Sequence, residues 1–337
     1  MRADEETSGK TVVVTGAAGF IGSHLTDRLL ADGYRVIGID SFEDYYPRGM
    51  KEANLRRATA HPRFVLLERN LLDLGSDGLS ELIDDSTCVY HLAAQAGVRA
   101  SWGDSFRVYT DNNVLGTQIV LEAVRRVKRT LPLIIASSSS VYGSVEELPY
   151  REDGPCHPVS PYGVTKLAGE HLSDLYKRAF GTYTVNLRFF TVFGPRQRPD
   201  MAFHIFIRSL LEGRPLRVFG GGEQTRDFTY VDDIVRALLA APSAPAGSVI
   251  NVGGGERVSL NTVLALLQRI VGIGGALERL PQQEGDMRHT WADLGRAREF
   301  LGYDPQVRLE EGLRAEVEWL RGVLRDARSE SVGKDPS

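Results

Sequence analysis

A short β-branched run stands directly before a glycine-rich turn and an amphipathic helix. Residues 11–15 read T-V-V-V-T, a pattern typical of a strand buried on both faces. Gly16, Gly19 and Gly22 follow with the spacing G-x-x-G-x-x-G, and the helical pattern runs to about residue 31. Strand, glycine turn and helix in this order predict a phosphate-binding βαβ unit, and a glycine turn without a ligand is the alternative.

A second predicted strand, residues 35–40, ends in Asp40. This carboxylate stands about 20 residues beyond the glycines, where it can accept hydrogen bonds from an adenosine ribose. It would repel a 2′-phosphate, so the sequence favours NAD over NADP. The alternative is an Asp that caps a helix.

Further apolar runs alternate with helical patterns along the first half of the chain. The next predicted strands are 64–67, 87–92, 131–136 and 184–190, with a long helical stretch at 105–129. This alternation predicts an α/β fold with a doubly wound parallel sheet of the Rossmann type.

The pattern changes near residue 190, which divides the chain in two. Residues 10–190 are predicted to form an NAD-binding domain, and 191–328 a smaller α/β substrate-binding cap, with segments of the two interleaved. The helical patterns of the cap are 201–212, 231–240, 260–270 and 309–324. The polar residues 329–337 are predicted to be a disordered tail.

Two polar clusters follow the predicted strands. Residues 137–140 are four serines at a strand end, where ligands of open α/β sheets bind. Tyr162 and Lys166 are four residues apart, so a helix places them on one face. A phenol ionises near ~10, but a close ammonium and a cationic cofactor ring favour the phenolate and make a tyrosine a general base. A solvated helix face is the alternative.

Composition and charge exclude several classes of function. The net charge of the 337 residues is −4 and no long basic run occurs, so nucleic acid is not expected as a partner. Cys88 and Cys156 have no metal-ligand spacing, so no metal site is expected. No apolar run approaches the roughly 18–20 residues that cross a bilayer, and residues 1–10 are acidic, so we expect a cytoplasmic protein with no membrane partner.

The glycine fingerprint, the serine turn and the Tyr162/Lys166 pair, in this order, resemble the extended short-chain dehydrogenases/reductases. The most similar group is the nucleotide-sugar epimerases, dehydratases and decarboxylases. The similarity spans roughly residues 10–325 and includes the motifs at 187–195, 226–233 and 285–293.

The resemblance implies a role for each matching position. Ser138 would hydrogen-bond the reacting hydroxyl, Tyr162 would be the base, and Lys166 would hold the nicotinamide ribose. Asn113 would support the catalytic helix. Asn70 stands where many relatives have an Asp that contacts adenine. The positions assigned to NAD binding are Gly16, Gly19, Phe20, Ile21, Gly22, Asp40, Asn70, Leu71, Leu92, Ala93, Ala94, Asn113, Tyr162 and Lys166.

The serine turn separates the activities of this family. Dehydratases carry an Asp-Glu pair at the positions of Ser139 and Ser140, and decarboxylases carry a Glu at that of Ser140, whereas this chain has no carboxylate at either. Reversible oxidation at C4 remains, which is epimerisation through a 4-keto sugar with NAD recycled. Tyr162 would take and return the O4 proton.

Two stretches suggest the sugar. Residues 40–46 with Lys51, and residues 189–202, resemble UDP-glucuronate 4-epimerases. Oxidation of a glucuronate at C4 makes a β-keto acid that loses CO2 when its carboxylate bond stands perpendicular to the carbonyl plane. Hydroxyl donors and an arginine fork could hold the carboxylate away from that geometry. In that group the carboxylate is held by residues matching Ser139, Ser140, Thr191 and Arg198.

Arginines outside this set complete the expected substrate site. Arg196 is a second candidate for the carboxylate, and a solvated arginine-rich loop is the alternative. Arg226 matches the family arginine that grips the nucleotide diphosphate, Arg288 is a second candidate, and Arg217 is expected near the base or ribose. The expected partner is therefore a UDP-sugar.

Other functions remain open at this point. A 4-epimerase of UDP-glucose or UDP-N-acetylglucosamine, a UDP-glucuronate decarboxylase and an NDP-sugar 4,6-dehydratase are the enzymatic alternatives. An NAD-binding regulatory module is the alternative outside catalysis. The helices around Asn113 and Tyr162 have apolar faces, and the family resemblance implies a homodimer.

Overall fold

The computed structural model describes residues 9–144, 147–281 and 287–332, with residues 327–332 as backbone only. Its strands are β1 (Thr11–Thr15), β2 (Arg35–Asp40), β3 (Phe64–Glu68), β4 (Ser86–His91), β5 (Leu133–Ser138), β6 (Thr184–Phe189), β7 (Thr191–Phe193), β8 (Leu216–Phe219), β9 (Thr225–Tyr230), β10 (Ser248–Val252), β11 (Arg257–Ser259) and β12 (Leu277–Leu280). Its helices are α1 (Phe20–Ala31), α2 (Arg48–Thr59), α3 (Leu71–Ile83), α4 (Phe106–Tyr109), α5 (Gly116–Arg126), α6 (Pro161–Phe180), α7 (Ala202–Leu211), α8 (Val231–Ala240), α9 (Leu260–Val271), α10 (Gly295–Leu301) and α11 (Leu309–Val332).

Seven parallel strands form the main sheet in the order β10-β6-β5-β4-β1-β2-β3. Val12 and Val14 of β1 face one hydrophobic core, and Val13 faces a second core on the opposite side, because successive strand residues alternate between faces. All three are buried. The predicted class, a doubly wound parallel sheet covered on both faces, is confirmed.

Local sequence signals set the ends of α6, the helix that carries Tyr162 and Lys166. Ser160 is its N-cap and accepts a hydrogen bond from the Gly163 amide at 3.1 Å, and Pro161 occupies the first turn. Gly181 ends the helix in the left-handed conformation at φ 72°.

The smaller part of the molecule is built from short strands. A three-stranded sheet has the order β11-β9-β7, and β8 pairs with β12. The main sheet takes its seventh strand, β10, from the segment expected to form the cap, and α8 packs against α1. The segments on either side of residue 190 are thus interleaved, so a single boundary at that residue does not divide the chain into two domains.

Several elements differ from the sequence prediction. The helices α2 and α3 were not predicted, because α2 is rich in charge and α3 contains Gly75, where the backbone leaves helical geometry. A π-helical stretch, Thr110–Leu115, joins α4 to α5 inside the predicted single helix. The last helix, α11, runs to Val332, beyond the boundary predicted for the tail, because no glycine or proline stands between Gly322 and Gly333. Residues 333–337 lie outside the described residues, as do Gly285 and Asp286 of the 285–293 motif.

Gly22 is the position of α1 that is most sensitive to an added side chain. A Cβ atom there would lie 2.0 Å from the carbonyl oxygen of Gly16, a backbone atom that cannot rotate away. We expect Gly22→Ala to lower the free energy of unfolding by roughly 1–3 kcal/mol, as other overpacked substitutions do. The shift of the urea unfolding midpoint measures it.

The matched control is Gly78→Ala in α3. A Cβ at Gly78 would meet nothing nearer than a Leu74 side-chain atom at 3.9 Å. Alanine there is expected to leave stability unchanged or raise it by about 0.5–1 kcal/mol, since alanine favours helix over glycine. Equal midpoints for the two variants would show that the Gly16–Gly22 contact is not tight.

Candidate active site

A cavity of about 1000 Å³ opens at the carboxyl ends of the parallel strands. Its walls come from both parts of the fold, as expected for a ligand site in an open α/β sheet. The sequence-predicted site residues that line it are Gly16, Gly19, Phe20, Ile21, Gly22, Asp40, Asn70, Leu71, Leu92, Ala93, Ala94, Ser138, Ser139, Ser140, Tyr162, Lys166, Thr191, Arg198, Arg217 and Arg226.

The glycine turn brings backbone close to backbone at one end of this cavity. Gly16 has φ 71°, and a Cβ there would lie 2.7 Å from the amide nitrogen of Ala93. Gly19 is the N-cap of α1 and makes no side-chain capping bond, so the helix presents bare amides to the cavity. Bare amides at a helix N-terminus fit the pyrophosphate of a dinucleotide.

Asp40 is fixed beside the glycine turn. Its Oδ2 accepts a hydrogen bond from the Ala18 amide at 3.0 Å, and its Oδ1 accepts one from the Phe42 amide at 2.9 Å. Each carboxylate oxygen has a second lone pair, and the residue lines the cavity. Asp40 therefore holds local backbone and still offers acceptors to ribose hydroxyls.

The side chain of Asn70 forms hydrogen bonds within the protein. Its Oδ1 caps α3 by accepting from the Leu72 amide at 2.9 Å, and its Nδ2 donates to Glu43 Oε1 at 3.1 Å. It lines the cavity, but both ends of its amide have protein partners.

Tyr162 and Ser138 meet at the centre of the cavity. Ser138 caps a short 3₁₀ turn, Ser139–Val141, by accepting from the Ser140 amide at 3.1 Å. Burial raises the pKa of Tyr162, while a hydrogen bond with Ser138 and the charge of Arg198 lower it without cancelling the effect of burial. The chain alone keeps Tyr162 neutral, so the cationic nicotinamide ring remains the group expected to favour the phenolate.

Lys166 lies one turn along α6 from Tyr162, but its amine does not contact the phenol oxygen. Its Nζ donates to the Ala136 carbonyl at 2.9 Å and lies 6.0 Å from the centre of the Tyr162 ring. Burial lowers the pKa of Lys166 to about 8, and the nearby Glu170 carboxylate opposes that shift. The lysine is thus placed to donate to a ribose rather than to the tyrosine.

Glu170 continues the same face of α6 and is buried. Arg188 of β6 donates to it from Nε at 2.9 Å and from Nη2 at 2.8 Å, and Ser137 of β5 donates to the same carboxylate. This pairing joins α6 to two strands of the main sheet.

Asn113 and His91 are buried positioning groups. Asn113, in the π-helical stretch, donates to Thr165 of α6 at 3.0 Å and exchanges hydrogen bonds with the backbone of Gln95. It does not line the cavity, and its side chain bonds the helix that carries Tyr162. Burial lowers the pKa of His91 to about 3, and its ring bonds Thr15 and Thr117, as a packed strand residue would.

Of the two arginines considered for the sugar carboxylate, Arg198 lines the cavity and Arg196 does not. Arg196 has φ 66° and its Nη2 donates to Asp27 of α1 at 2.7 Å. Ser139, Ser140 and Thr191 line the cavity together with Arg198, so the four predicted carboxylate ligands border the same cavity.

The arginines expected at the diphosphate are divided between two cavities. Arg217 and Arg226 line the large one, while Arg288 lines an adjoining cavity of about 410 Å³ that also includes Arg226. Arg217 lies 3.4 Å from Glu278, and Arg226 donates to the carbonyls of Thr225 and Arg288.

Some lining residues were not predicted as site residues. They include Tyr45, Tyr46, Lys51, Arg99, Asp200 and Phe219. Arg99 stacks on the Phe219 ring at 4.4 Å, across the cavity between the two parts of the fold. Tyr45, Tyr46, Lys51 and Asp200 belong to the two stretches that resemble UDP-glucuronate 4-epimerases, but no role was assigned to them from the sequence.

The part of the chain that the structure describes holds no helix long and apolar enough to span a membrane. Within the same residues, no cluster of His, Cys, Asp and Glu could hold a metal ion.

Comparisons with known proteins identify the family. The model of the NAD dependent epimerase/dehydratase family matches residues 12–253. The crystal structure of UDP-glucuronic acid 4-epimerase from Bacillus cereus, in complex with UDP-glucuronic acid and NAD, superposes with a TM-score of 0.89 at 44% identity, covering 93% of this chain and 99% of that one.

Two curated relatives align over nearly their whole length. The uncharacterized UDP-glucose epimerase YtcB of Bacillus subtilis (strain 168) is 44% identical over 93% of this chain and 99% of its own. UDP-glucuronate 4-epimerase of Thermodesulfobacterium geofontis (strain OPF15) is 37% identical over 92% of this chain and 95% of its own. The chain belongs to the NAD dependent epimerase/dehydratase family, and the predictions of an epimerase-type fold and of NAD as cofactor are confirmed.

The lowered pKa of Lys166 predicts how stability depends on pH. Between about pH 8 and pH 10.5 the unfolded chain holds a proton on this lysine that the folded chain has lost. The free energy of unfolding therefore rises with pH across that window. We expect Lys166→Met to remove this part of the rise, measured as urea midpoints at intervals from pH 7.5 to 10. The same pH dependence in both proteins would contradict the assignment.

Proposed function

We propose that this protein is a UDP-glucuronate 4-epimerase that interconverts UDP-glucuronate and UDP-galacturonate with bound NAD. The observation that carries the proposal is one cavity lined by Tyr162, Ser138 and Arg198, in which Ser138 bonds Tyr162 and the charge of Arg198 acts on it, with hydroxyls and no carboxylates at Ser139 and Ser140. The resemblance to epimerases that bind UDP-glucuronic acid and NAD supports it.

In this reaction NAD, when bound, accepts the hydride of C4 and returns it to the other face of the sugar. Tyr162 takes the O4 proton and later gives it back. Ser138 fixes the phenol, and Lys166 holds the nicotinamide ribose from below. Arg226 and Arg217 neutralise the diphosphate around which the sugar turns.

The positions of the acidic residues in the cavity argue against the decarboxylase and dehydratase alternatives. Among the described lining residues they are Asp40, Glu43 and Asp200. Asp40 and Glu43 belong to the segment around the expected adenosine, and Asp200 is paired with Arg198. No carboxyl group is left beside Tyr162 to protonate or deprotonate a sugar carbon.

The second candidate is a UDP-glucose 4-epimerase, which the name of the Bacillus subtilis relative favours. The substrates of the two candidate activities differ in whether C6 carries a charge. A cytoplasmic location stays a prediction from the sequence.

Incubation with UDP-glucuronate and with UDP-glucose, followed by NMR of the sugars, tests the proposal. We expect UDP-galacturonate from the first and little or no UDP-galactose from the second, because the N–H donors of Arg198 that Asp200 does not use form charge-assisted hydrogen bonds with a C6 carboxylate and only weaker ones with a neutral hydroxymethyl group. Turnover of UDP-glucose alone would refute the assignment of the carboxylate.

The same assay with Tyr162→Phe tests the base. The rate of epimerisation is expected to fall by about 10²–10⁴-fold, the usual contribution of a general base. Binding of UDP-glucuronate, measured by calorimetry, serves as the control for folding. A wild-type rate in this variant would overturn the role of Tyr162.

The protein is also proposed to be a homodimer that pairs through α6 and the neighbouring α4 region. The large apolar side chains exposed there include Phe106, Val108, Leu115, Val164, Leu175 and Phe180. Val164 and Leu175 are eleven residues apart, which places them on one face of α6, and the π-helical stretch with Leu115 packs beside that helix. An apolar face of this extent on adjacent helices is typical of a subunit interface.

The dimer prediction can be tested with Leu115→Arg/Leu175→Arg. Two buried, unpaired charges per subunit are expected to convert the dimer to monomer in analytical ultracentrifugation. Ile273→Arg is the matched control, because Ile273 is similarly exposed but lies outside this face. A monomeric wild-type protein, or dissociation by the control, would contradict the proposed interface.

A further inference from the structure

Arg198 is already bound by a carboxylate of its own chain. Its Nε donates to Asp200 Oδ1 and its Nη2 donates to Asp200 Oδ2, both at 2.9 Å. This is a two-bond fork in which one edge of the guanidinium faces Asp200. The side chain of Arg198 is 18% exposed, and that of Asp200 is 37% exposed, so the pair forms part of the cavity wall.

Tyr45, which also lines the cavity, holds Asp200 by a hydrogen bond. Its hydroxyl donates to Asp200 Oδ2 at 3.0 Å, and the Arg198 guanidinium lies 5.7 Å from the centre of its ring. A Cβ at Gly97 would lie 2.5 Å from the Tyr45 hydroxyl, so only a glycine leaves room for the phenol there. Tyr109 in turn donates to the Gly97 carbonyl at 2.7 Å.

Both members of the pair stay charged. Burial alone would raise the pKa of Asp200, but the hydrogen bonds and charge of Arg198 outweigh it and hold that pKa below its usual value. Asp200 therefore has no proton to give, and it cannot replace the acid that the serine turn lacks. Its remaining role is to hold the guanidinium.

The pairing leaves one edge of Arg198 for a ligand. A guanidinium carries five N–H donors in a rigid plane, and Asp200 uses the edge formed by Nε and Nη2. Nη1 has no protein acceptor among the described residues. Ser139, Ser140 and Thr191 line the same cavity as Arg198.

We propose that Asp200, held by Tyr45, is a positioning residue that turns the free edge of Arg198 toward the sugar carboxylate and so protects the 4-keto sugar from losing CO2. This inference rests on the proposed function, since it needs a C6 carboxylate. It adds two residues, Asp200 and Tyr45, to those that determine the product.

The loss of CO2 depends on orientation. The C5–C6 bond breaks, its electron pair passes into the C4 carbonyl to form an enolate, and C5 then takes a proton from water as CO2 leaves. The electron pair can pass only when the breaking bond stands perpendicular to the carbonyl plane. A guanidinium with one fixed edge holds the carboxylate out of that orientation, whereas a freely rotating one does not.

Asp200→Asn is the main test, with UDP-glucuronate labelled with ¹³C at C6. The amide keeps the shape of the side chain but accepts only one of the two arginine bonds. We expect the share of turnovers that end in ¹³CO2 to rise by about tenfold or more, the effect of one lost charge-assisted hydrogen bond. Calorimetric binding of UDP-glucuronate should not weaken, because a negative charge near its carboxylate has been removed.

Two further variants separate positioning from general damage. Tyr45→Phe removes only the hydroxyl bond to Asp200 and should raise the CO2 share in the same direction by a smaller factor. Asp153→Asn is the matched control, because Arg151 forks Asp153 at the same two-residue spacing on the exposed surface, at 3.1 and 3.2 Å. The control should behave as the wild type.

The outcomes distinguish this inference from the proposed function. A wild-type protein that does not convert UDP-glucuronate overturns the function, and the inference falls with it. A wild-type protein that epimerises, with an unchanged or lower CO2 share in Asp200→Asn, overturns the inference alone. Equal loss of binding for UDP-glucuronate and UDP-glucose in that variant would show a structural role and also refute the inference.

Discussion

The buried pairing of Glu170 with Arg188 is the interaction on which the position of the catalytic helix depends. Tyr162, Lys166 and Glu170 follow at four-residue intervals on α6; Lys166 donates to the backbone of β5, and Glu170 forms a buried ion pair with Arg188 of β6. Breaking such a pair from one side typically costs 3–5 kcal/mol, roughly a third or more of the stability of a domain. The same carboxylate receives Ser137, directly before the Ser138 that bonds Tyr162. One buried carboxylate thus sets the distance between the serine turn and the tyrosine.

The sequence predicted correctly those elements whose formation depends on residues close together in the chain. The strand, turn and helix around Gly16 follow from β-branched residues and glycine spacing, and they agree with the observed elements. The ends of α6 likewise follow from local residue types, since Ser160 is its N-cap and Gly181 its C-cap. Charged α2 and kinked α3 were not predicted, because their helices are stabilised by tertiary packing rather than by periodicity.

Contacts between side chains that are far apart in the sequence were the part of the site that sequence reasoning did not predict. The choice between Arg196 and Arg198 depends on a left-handed residue at 196 that directs its side chain to Asp27, which no spacing rule reveals. Tyr45 and Asp200 are 155 residues apart and meet only in the folded chain. The family resemblance assigns Asn113 to the support of the helix that carries Tyr162, and its hydrogen bond to that helix, through Thr165, is a tertiary contact.

The distribution of charge in the cavity limits the chemistry that the site can perform. Asp40 is held by backbone amides at one end and Asp200 by an arginine at the other, so each carboxylate is committed to binding. Glu43 likewise accepts from the Asn70 side chain. His91 is neutral and buried away from the opening. Lys166 also lines the cavity with a lowered pKa, but its amine is bonded to the Ala136 carbonyl, so we assign the phenol of Tyr162, bonded to Ser138, as the proton carrier. A single carrier can remove a proton from a hydroxyl and return it to the same oxygen, which suffices for inversion at carbon and not for elimination of water.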